Sequence, residues 1–403
     1  MSSVRINLFL TALGLSLFGA VMVYSATVRY YGTTYLLLHS VHIVVGLLAF
    51  LAASRVRYTA WRRLAPILYA AAAVTLVLVL IPGIGTEVHG SRRWLDLGFV
   101  GLQPSEIAKL AAVLVLSAAL SRKRFLHGDT GLLAVLGPLA AIGLLFGLVV
   151  VEPDFGTSVV LLAGVAGTLW ASELRTRGLV LAVGWALVAL AAVMLAEPYR
   201  RERFFTFLDP WAVPEGAGYQ TVQSMIAIRS GGLFGTGPGS GDLGASVPEV
   251  GTDMIFALVG QELGLPGMLA VIGAFCFLAL LGFRISLSAP SVLGRCLAAG
   301  ITTMFTAQAV FNIGAAMGSL PLAGMTLPFV SNGGSSIAIS FAAIGILYRI
   351  SEDSEKASGA RTGSPRREPR GEQQNRRPEG RPTDLDRRRR YRRTRNPRAV
   401  RGG

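Results

Sequence analysis

Apolar residues run almost unbroken over ten stretches of this chain, near 6–25, 35–54, 64–83, 104–121, 131–151, 155–171, 178–196, 254–283, 294–317 and 334–350. Most approach the roughly 20 residues that a helix needs to cross a bilayer. The pattern predicts an all-α polytopic membrane protein of about ten transmembrane helices. The first stretch has no small-residue cleavage pattern, so it reads as an anchor and not as a removed signal peptide. Three of the intervening polar segments are long enough to build something: about 84–103, about 197–253 and about 318–333. The second is by far the longest, and its part from Ser230 to Gly244 is dense in glycine. Such a stretch resists regular structure and suits close backbone approach or mobility.

Charge gives the orientation. Arg5, Arg55, Arg57, Arg62, Arg63, Arg122, Lys123, Arg124, Arg175, Arg177, Arg284, Arg295 and Arg349 fall on one side of the predicted spans. The other side holds 12 of the 15 acidic residues that precede position 351. The positive-inside rule makes the arginine side cytoplasmic. Both termini are then cytoplasmic, and the loop of about 197–253 is extracytoplasmic. Overall 52% of residues are hydrophobic and 15% charged, with a mean hydropathy of +0.53, which excludes an ordinary soluble globule for residues 1–350. From Ser351 the composition switches to 17 Arg/Lys against eight Asp/Glu with few apolar residues, so 351–403 reads as a disordered basic cytoplasmic tail. Membrane lipid is its expected partner. The run Arg387-Arg388-Arg389-Arg390 is too unspecific to predict nucleic-acid binding.

Ionisable residues inside apolar segments mark candidate chemistry, because they are costly there. Glu106 and Lys109 stand three apart at the start of the fourth span, on one helix face. Pro104 and Glu106 suit a helix start. Lys109 does not, and the chain holds only three lysines against 35 arginines. Asp253 stands where the long loop enters the next apolar helix, with Thr252 as a possible cap, and Glu262 lies about 14 Å further along the helix axis. Glu262 reads either as a buried hydrogen-bonding group or as part of the same polar cavity. The ninth span runs through Thr302, Thr303, Thr306, Gln308 and Asn312, of which Thr302, Thr306 and Asn312 can share a face, and such a polar stripe either binds a neighbouring helix or lines a cavity. The turn Ser331-Asn332-Gly333-Gly334-Ser335-Ser336 offers backbone N–H groups to an anion. Cys276 and Cys296 read as buried small hydrophobes, and His39 and His42 as a packed pair. No metal site and no cofactor are evident, although a divalent cation (Mg²⁺ or Mn²⁺) could accompany a phosphorylated substrate.

These motifs, in this order, resemble the SEDS family of bacterial envelope proteins, which contains FtsW, RodA and SpoVE. The matching residues are Arg92 through Lys109, Glu152-Pro153-Asp154-Phe155-Gly156-Thr157, Arg203 through Asp209-Pro210-Trp211, Gly218-Tyr219-Gln220, Pro248-Glu249 with Thr252-Asp253, Gln261-Glu262-Leu263-Gly264, and Asn312-Ile313-Gly314 through Ser336. The resemblance covers about residues 8–350. Val23-Tyr24-Ser25, Gly260 through Gly264 and Met325-Thr326-Leu327-Pro328 look more like the FtsW branch than RodA. The pattern departs from the family at Glu152, Gly251 and Asn332, where Gln, His and Tyr are usual.

The resemblance implies a ten-helix peptidoglycan glycosyltransferase at the outer face of the bacterial cytoplasmic membrane. Such an enzyme polymerises lipid II beside a class B penicillin-binding protein that crosslinks the product, together with other divisome or elongasome proteins. It places the essential aspartate at Asp253, with Glu106 and Lys109 as catalytic support. An α-linked diphosphate giving a β-linked glycan implies inversion in one displacement, with no second carboxylate nucleophile. A diphosphate already leaves well, so charge stabilisation matters more than a general acid. Arg92, Arg93 and Arg203 are the candidates for it, and Gln103, Ser335 and Ser336 complete the expected substrate-binding set. The competing functions are a lipid II flippase and a non-catalytic scaffold for a penicillin-binding protein. A flippase needs alternating access and often carries internal repeats. The two halves of this chain show no clear repeat, and the ionisable groups gather at one face.

Overall fold

Helices occupy nine of the ten predicted spans in the computed structural model. The structure describes residues 2–88, 91–96, 98, 101–122, 133–172, 184, 188, 201, 205–216, 218–240 and 250–362. The predicted span 178–196 lies outside the described residues but for two isolated positions. The helices are α1 (Ser2–Tyr31), α2 (Thr34–Arg55), α3 (Trp61–Leu80), α4 (Pro104–Leu120), α5 (Leu133–Val151), α6 (Phe155–Trp170), α7 (Tyr219–Gly231), α8 (Ile255–Ser288), α9 (Val292–Ala316) and α10 (Gly334–Thr362). Among the described residues six helices are long and apolar enough to cross a membrane, and the apolar stretches Leu136–Val151 and Phe155–Trp170 are shorter. The described residues of Met1–Arg361 form one compact unit.

Nearly every residue of α4 is buried, and most of α9 is too. A helix apolar all round and buried all round belongs at the centre of a bundle. Small residues let its neighbours close on it. Gly164 and Gly167 of α6 lie against Met304 and Thr303 of α9, and Gly300 of α9 lies against Thr168 and Val113. Lipid cannot drive helices together by a hydrophobic effect, so such close approach supplies the packing instead. Two contacts mark the arginine-bearing end of the bundle. Arg5 pairs with Glu355 at 2.7 Å, and Ser291 donates to the Tyr58 hydroxyl at 3.0 Å.

Three features go beyond the apolar pattern. First, the segment between α3 and α4 forms an antiparallel sheet of β1 (Gly85–Val88), β2 (Ser91–Asp96) and β3 (Gly101–Leu102), in the order β1-β2-β3. Second, the described residues of the long loop include α7 and a 3₁₀ turn at Pro210–Ala212. The glycine-rich run after α7 lies on α8. Thr236 and Gly237 donate their N–H groups to the Gln261 and Glu262 carbonyls at 2.9 and 3.0 Å. Gly264, at φ +62°, breaks α8 where Gly235 approaches its backbone, a conformation open only to glycine at low cost.

Third, α10 continues to Thr362, so the basic tail does not begin at 351 as expected. Arg349 pairs with Glu352 at 3.3 Å and Asp353 at 3.2 Å, and Lys356 with Glu352 at 2.7 Å. These i,i+3 and i,i+4 pairs support a helix through a polar stretch, and the Arg5–Glu355 bond ties it to α1. Residues 363–403 lie outside the described residues.

Candidate active site

Asp253 sits in the turn that precedes α8, beside a shallow cleft. The cleft is lined by Asp253, Phe311, Asn312, Leu322, Gly324 and Met325, among others. The turn is held through its backbone. Asn312 Nδ2 donates to the Asp253 carbonyl at 2.9 Å, Ser331 Oγ to the Thr252 carbonyl at 2.5 Å, and Asn332 N–H to the Gly251 carbonyl at 2.9 Å. The Ser331–Asn332 turn therefore orders the Asp253 turn. That is a structural role for the Asn332 backbone, at a position that departs from the family pattern.

Arg93 reaches the same cleft because of a fault in the sheet. The β1–β2 register steps from Thr86↔Trp94 to Glu87↔Arg92, leaving Arg93 without a cross-strand partner. A bulge of this kind re-aims a side chain. Arg93 Nε donates to the Glu152 carbonyl at 3.1 Å and its terminal Nη2 to the Pro153 carbonyl at 2.5 Å. A Cβ built on Gly324 would lie 3.8 Å from Arg93 Nη1 and 3.7 Å from Asp253 Oδ2. A cation and an acid thus face one small space across a glycine at φ +64°. Gly324→Ala is expected to lower activity at least about tenfold, since the methyl enters that space and the positive φ costs a non-glycine residue about 1–2 kcal/mol. Initial rates set beside melting temperatures check it; wild-type rates would show that this space is not used.

Arg92 goes elsewhere. It pairs with Glu87 across the strands at 3.2 Å, with both side chains substantially exposed. Such a surface pair contributes little, and the structure does not bring Arg92 to the cleft. Arg203 lies outside the described residues.

Behind the cleft, Lys109 and Glu106 form an ion pair at 2.9 Å with side chains 1% and 6% exposed. Lys109 also donates to Gln308 Oε1 at 2.9 Å, and Gln308 Nε2 donates to the Thr326 carbonyl at 2.9 Å. One turn along α9, Asn312 holds the Met325 carbonyl at 2.6 Å as well as the Asp253 carbonyl. Gln308 and Asn312 therefore link the buried pair to the Asp253 turn through one helix face. Of the polar stripe read from the sequence, Asn312 makes the contact, whereas two hydroxyl members do not. Thr302 and Thr306 donate to their own helix, at Ala298 and Thr302. Gln308, i,i+4 from Asn312, carries the contact together with Asn312.

Asp154 was also missed as an organiser. It accepts from Gln103 Nε2 and Ser105 Oγ at 3.0 Å, from Thr157 N–H at 3.1 Å and from Thr157 Oγ1 at 2.8 Å. It caps α6 and fixes the start of α4 to it. Gln103 N–H donates to Ser335 Oγ at 3.2 Å, and Thr326 Oγ1 to Ser336 Oγ at 3.1 Å. Gln103, Ser335 and Ser336 thus tie α4 and the Thr326 segment to the start of α10. Glu262 lies apart, accepting from Ser25 Oγ at 2.5 and 2.7 Å, which resolves it as a buried hydrogen-bonding group. His39 and His42 are buried, and a Cβ on Gly334 would touch the His42 ring. Neither cysteine forms a disulfide; Cys296 is buried as expected, whereas Cys276 is exposed. Among the described residues no group of three or more His, Cys, Asp or Glu could hold a metal ion.

The FtsW/RodA/SpoVE family, described as "Cell cycle protein", matches residues 5–356. The chain is 38% identical over 362 residues to a probable peptidoglycan glycosyltransferase FtsW of Coxiella burnetii, covering 87% of this chain and 95% of that protein. It is 39% identical over 352 residues to one of Nitrosococcus halophilus, covering 85% and 89%. Among solved structures it is similar to one described as "Structural coordination of polymerization and crosslinking by a peptidoglycan synthase complex", at TM-score 0.71 and 30% identity, covering 86% of this chain and 97% of that one. It is also similar to the Thermus thermophilus rod shape determining protein RodA, at TM-score 0.62 and 27% identity, covering 86% and 96%. The apolar helix pattern, the residues around Asp253 and these likenesses agree: the chain is a polytopic membrane protein of the FtsW/RodA/SpoVE family.

Proposed function

We propose that this protein is an inverting peptidoglycan glycosyltransferase that polymerises lipid II at the outer face of the cytoplasmic membrane, in the manner of FtsW. The observation that carries the reading is the facing of Asp253 and Arg93 across Gly324. The names of the relatives support the reaction class, and the arginine distribution supports the outer placement.

Asp253 takes the proton of the acceptor sugar's 4-hydroxyl as general base. The hydroxyl oxygen forms the new bond to the donor's anomeric carbon, and the carbon–oxygen bond to undecaprenyl diphosphate breaks with inversion. Arg93 lies where it can meet the diphosphate's negative charge. A guanidinium held by backbone carbonyls is already oriented, so little reorganisation accompanies the reaction. Lys109 acts from behind through Gln308 and Asn312, and Glu106 holds its ammonium. Mg²⁺ is commonly held by one or two carboxylates together with substrate phosphates. Asp253 is the carboxylate on this cleft that could supply such a ligand to a divalent cation, which would offset diphosphate charge. A class B penicillin-binding protein is the proposed partner, by likeness to the synthase complex.

The two arginines separate the reading from a merely basic surface. Arg93→Ala is expected to raise KM for labelled lipid II about tenfold or more, the loss of a charge-assisted contact, while Arg92→Ala changes it less than about twofold. Equal effects from the two would contradict the bulge argument. Movement of fluorescent lipid II across vesicles without polymer formation would contradict the reaction itself.

A further inference from the structure

Four carboxyl side chains near this end of the bundle are buried, and three have donors. Glu106 has Lys109, Asp154 has four hydrogen bonds, and Glu262 has Ser25. Glu152 is fully buried, and neither of its carboxyl oxygens has a hydrogen-bond partner among the described residues. A carboxylate without donors is strongly disfavoured in such a place, and the group keeps its proton instead. The charged groups around it are Arg93 from β2 and Asp154 from its own loop. Glu106 and Lys109 on α4 are closed by their mutual bond and by Gln308. Arg93 donates from Nε and Nη2 to the Glu152 and Pro153 carbonyls and makes no ion pair with the neighbouring carboxyl.

We propose that Glu152 is a positioning residue that works as a neutral carboxylic acid, occupying the space beside Arg93 without cancelling its charge, so that the guanidinium stays turned to the Asp253 cleft. The proposal rests on the reading of Arg93 as a contact for the diphosphate. Ionised, Glu152 would draw the Arg93 donors onto its own oxygens and neutralise the charge meant for substrate. Burial, and secondarily the charge of Asp154, push the Glu152 carboxyl up to about 9, while Arg93 opposes this. The neutral form therefore prevails at pH 7, and the switch lies on the alkaline side.

The test uses the full-length chain with its partner transpeptidase and labelled lipid II, with rates measured from pH 6 to 10. Wild type is expected to show KM rising above about pH 9, approaching tenfold per pH unit as the neutral form is depleted, with kcat less affected. Glu152→Ala raises KM at pH 7, and Glu152→Gln, neutral at every pH, restores it and lacks the alkaline rise. An unchanged alkaline rise in Glu152→Gln, or a KM at pH 7 as poor as that of Glu152→Ala, overturns the proposal.

Melting temperatures read the proton directly. The unfolded Glu152 ionises near its ordinary value while the folded one holds its proton. Wild type must therefore lose stability relative to Glu152→Gln as pH rises from that value to about 9, then level off. A constant difference across this range overturns the neutral acid. If instead the melting difference appears but Arg93→Ala leaves KM unaltered, the diphosphate reading of Arg93 fails and the positioning role fails with it.

Discussion

Asp253→Ala is expected to abolish polymerisation of labelled lipid II, with a fall of about 10²–10⁴ in rate, the usual worth of a positioned general base. That corresponds to about 2.7–5.5 kcal/mol of transition-state stabilisation. The protein should still fold, because the hydrogen bonds that hold the turn run through the carbonyls of Gly251, Thr252 and Asp253 and survive truncation of the side chain. Asp253→Asn preserves shape and should fail equally, since an amide cannot take the hydroxyl proton. The measurement is polymer length and initial rate from the full chain with its partner, beside a melting curve in the same detergent. Polymer made within about threefold of wild type would remove Asp253 from the base role, because no general base is worth so little.

Lys109→Ala carries the second large effect, on both activity and stability. The Lys109–Glu106 pair is almost wholly excluded from solvent. Removing one partner leaves the other charge buried and uncompensated, which costs about 3–5 kcal/mol. Loss of activity in that variant alone would therefore say little about catalysis. The double variant Lys109→Met with Glu106→Gln separates the two effects. Replacing both members of a buried pair with neutral groups of similar volume is often close to neutral for stability, so the melting temperature should recover. Polymerisation should stay low, because the cation that fixes Gln308, and through α9 the Asp253 turn, is gone. A double variant that regains both would make Lys109 a structural lysine only.

The two arginines show how far a sequence motif reaches. Arg92 and Arg93 are adjacent, equally basic and equally part of the matching segment. Only the step in register at Thr86 and Glu87 distinguishes them, sending one to Glu87 on the surface and the other to the carbonyls of Glu152 and Pro153. No composition or periodicity over six residues encodes that bulge, which depends on what the sheet packs against. The threonines of the polar stripe on α9 misled for a related reason. Hydroxyls satisfy themselves on their own helix at i−4, as Thr302 and Thr306 do, whereas amides such as Gln308 and Asn312 are long enough to reach neighbouring segments.

The sequence by itself determined the helical membrane class and, among the described residues, the approximate place of nine helices. Hydrophobic burial is additive over a span, and ionisable groups in apolar runs stand out without knowledge of their neighbours. Tertiary structure alone decided which of those groups share a space. It turned Arg93 and Asp253 toward Gly324, joined Lys109 to the Asp253 turn through Gln308 and Asn312, and left Glu152 without a donor among the described residues. Each of these depends on contacts between residues dozens to hundreds of positions apart. A change of an ångström in helix packing makes or breaks a hydrogen bond, and the apolar pattern of a single segment does not record such a shift.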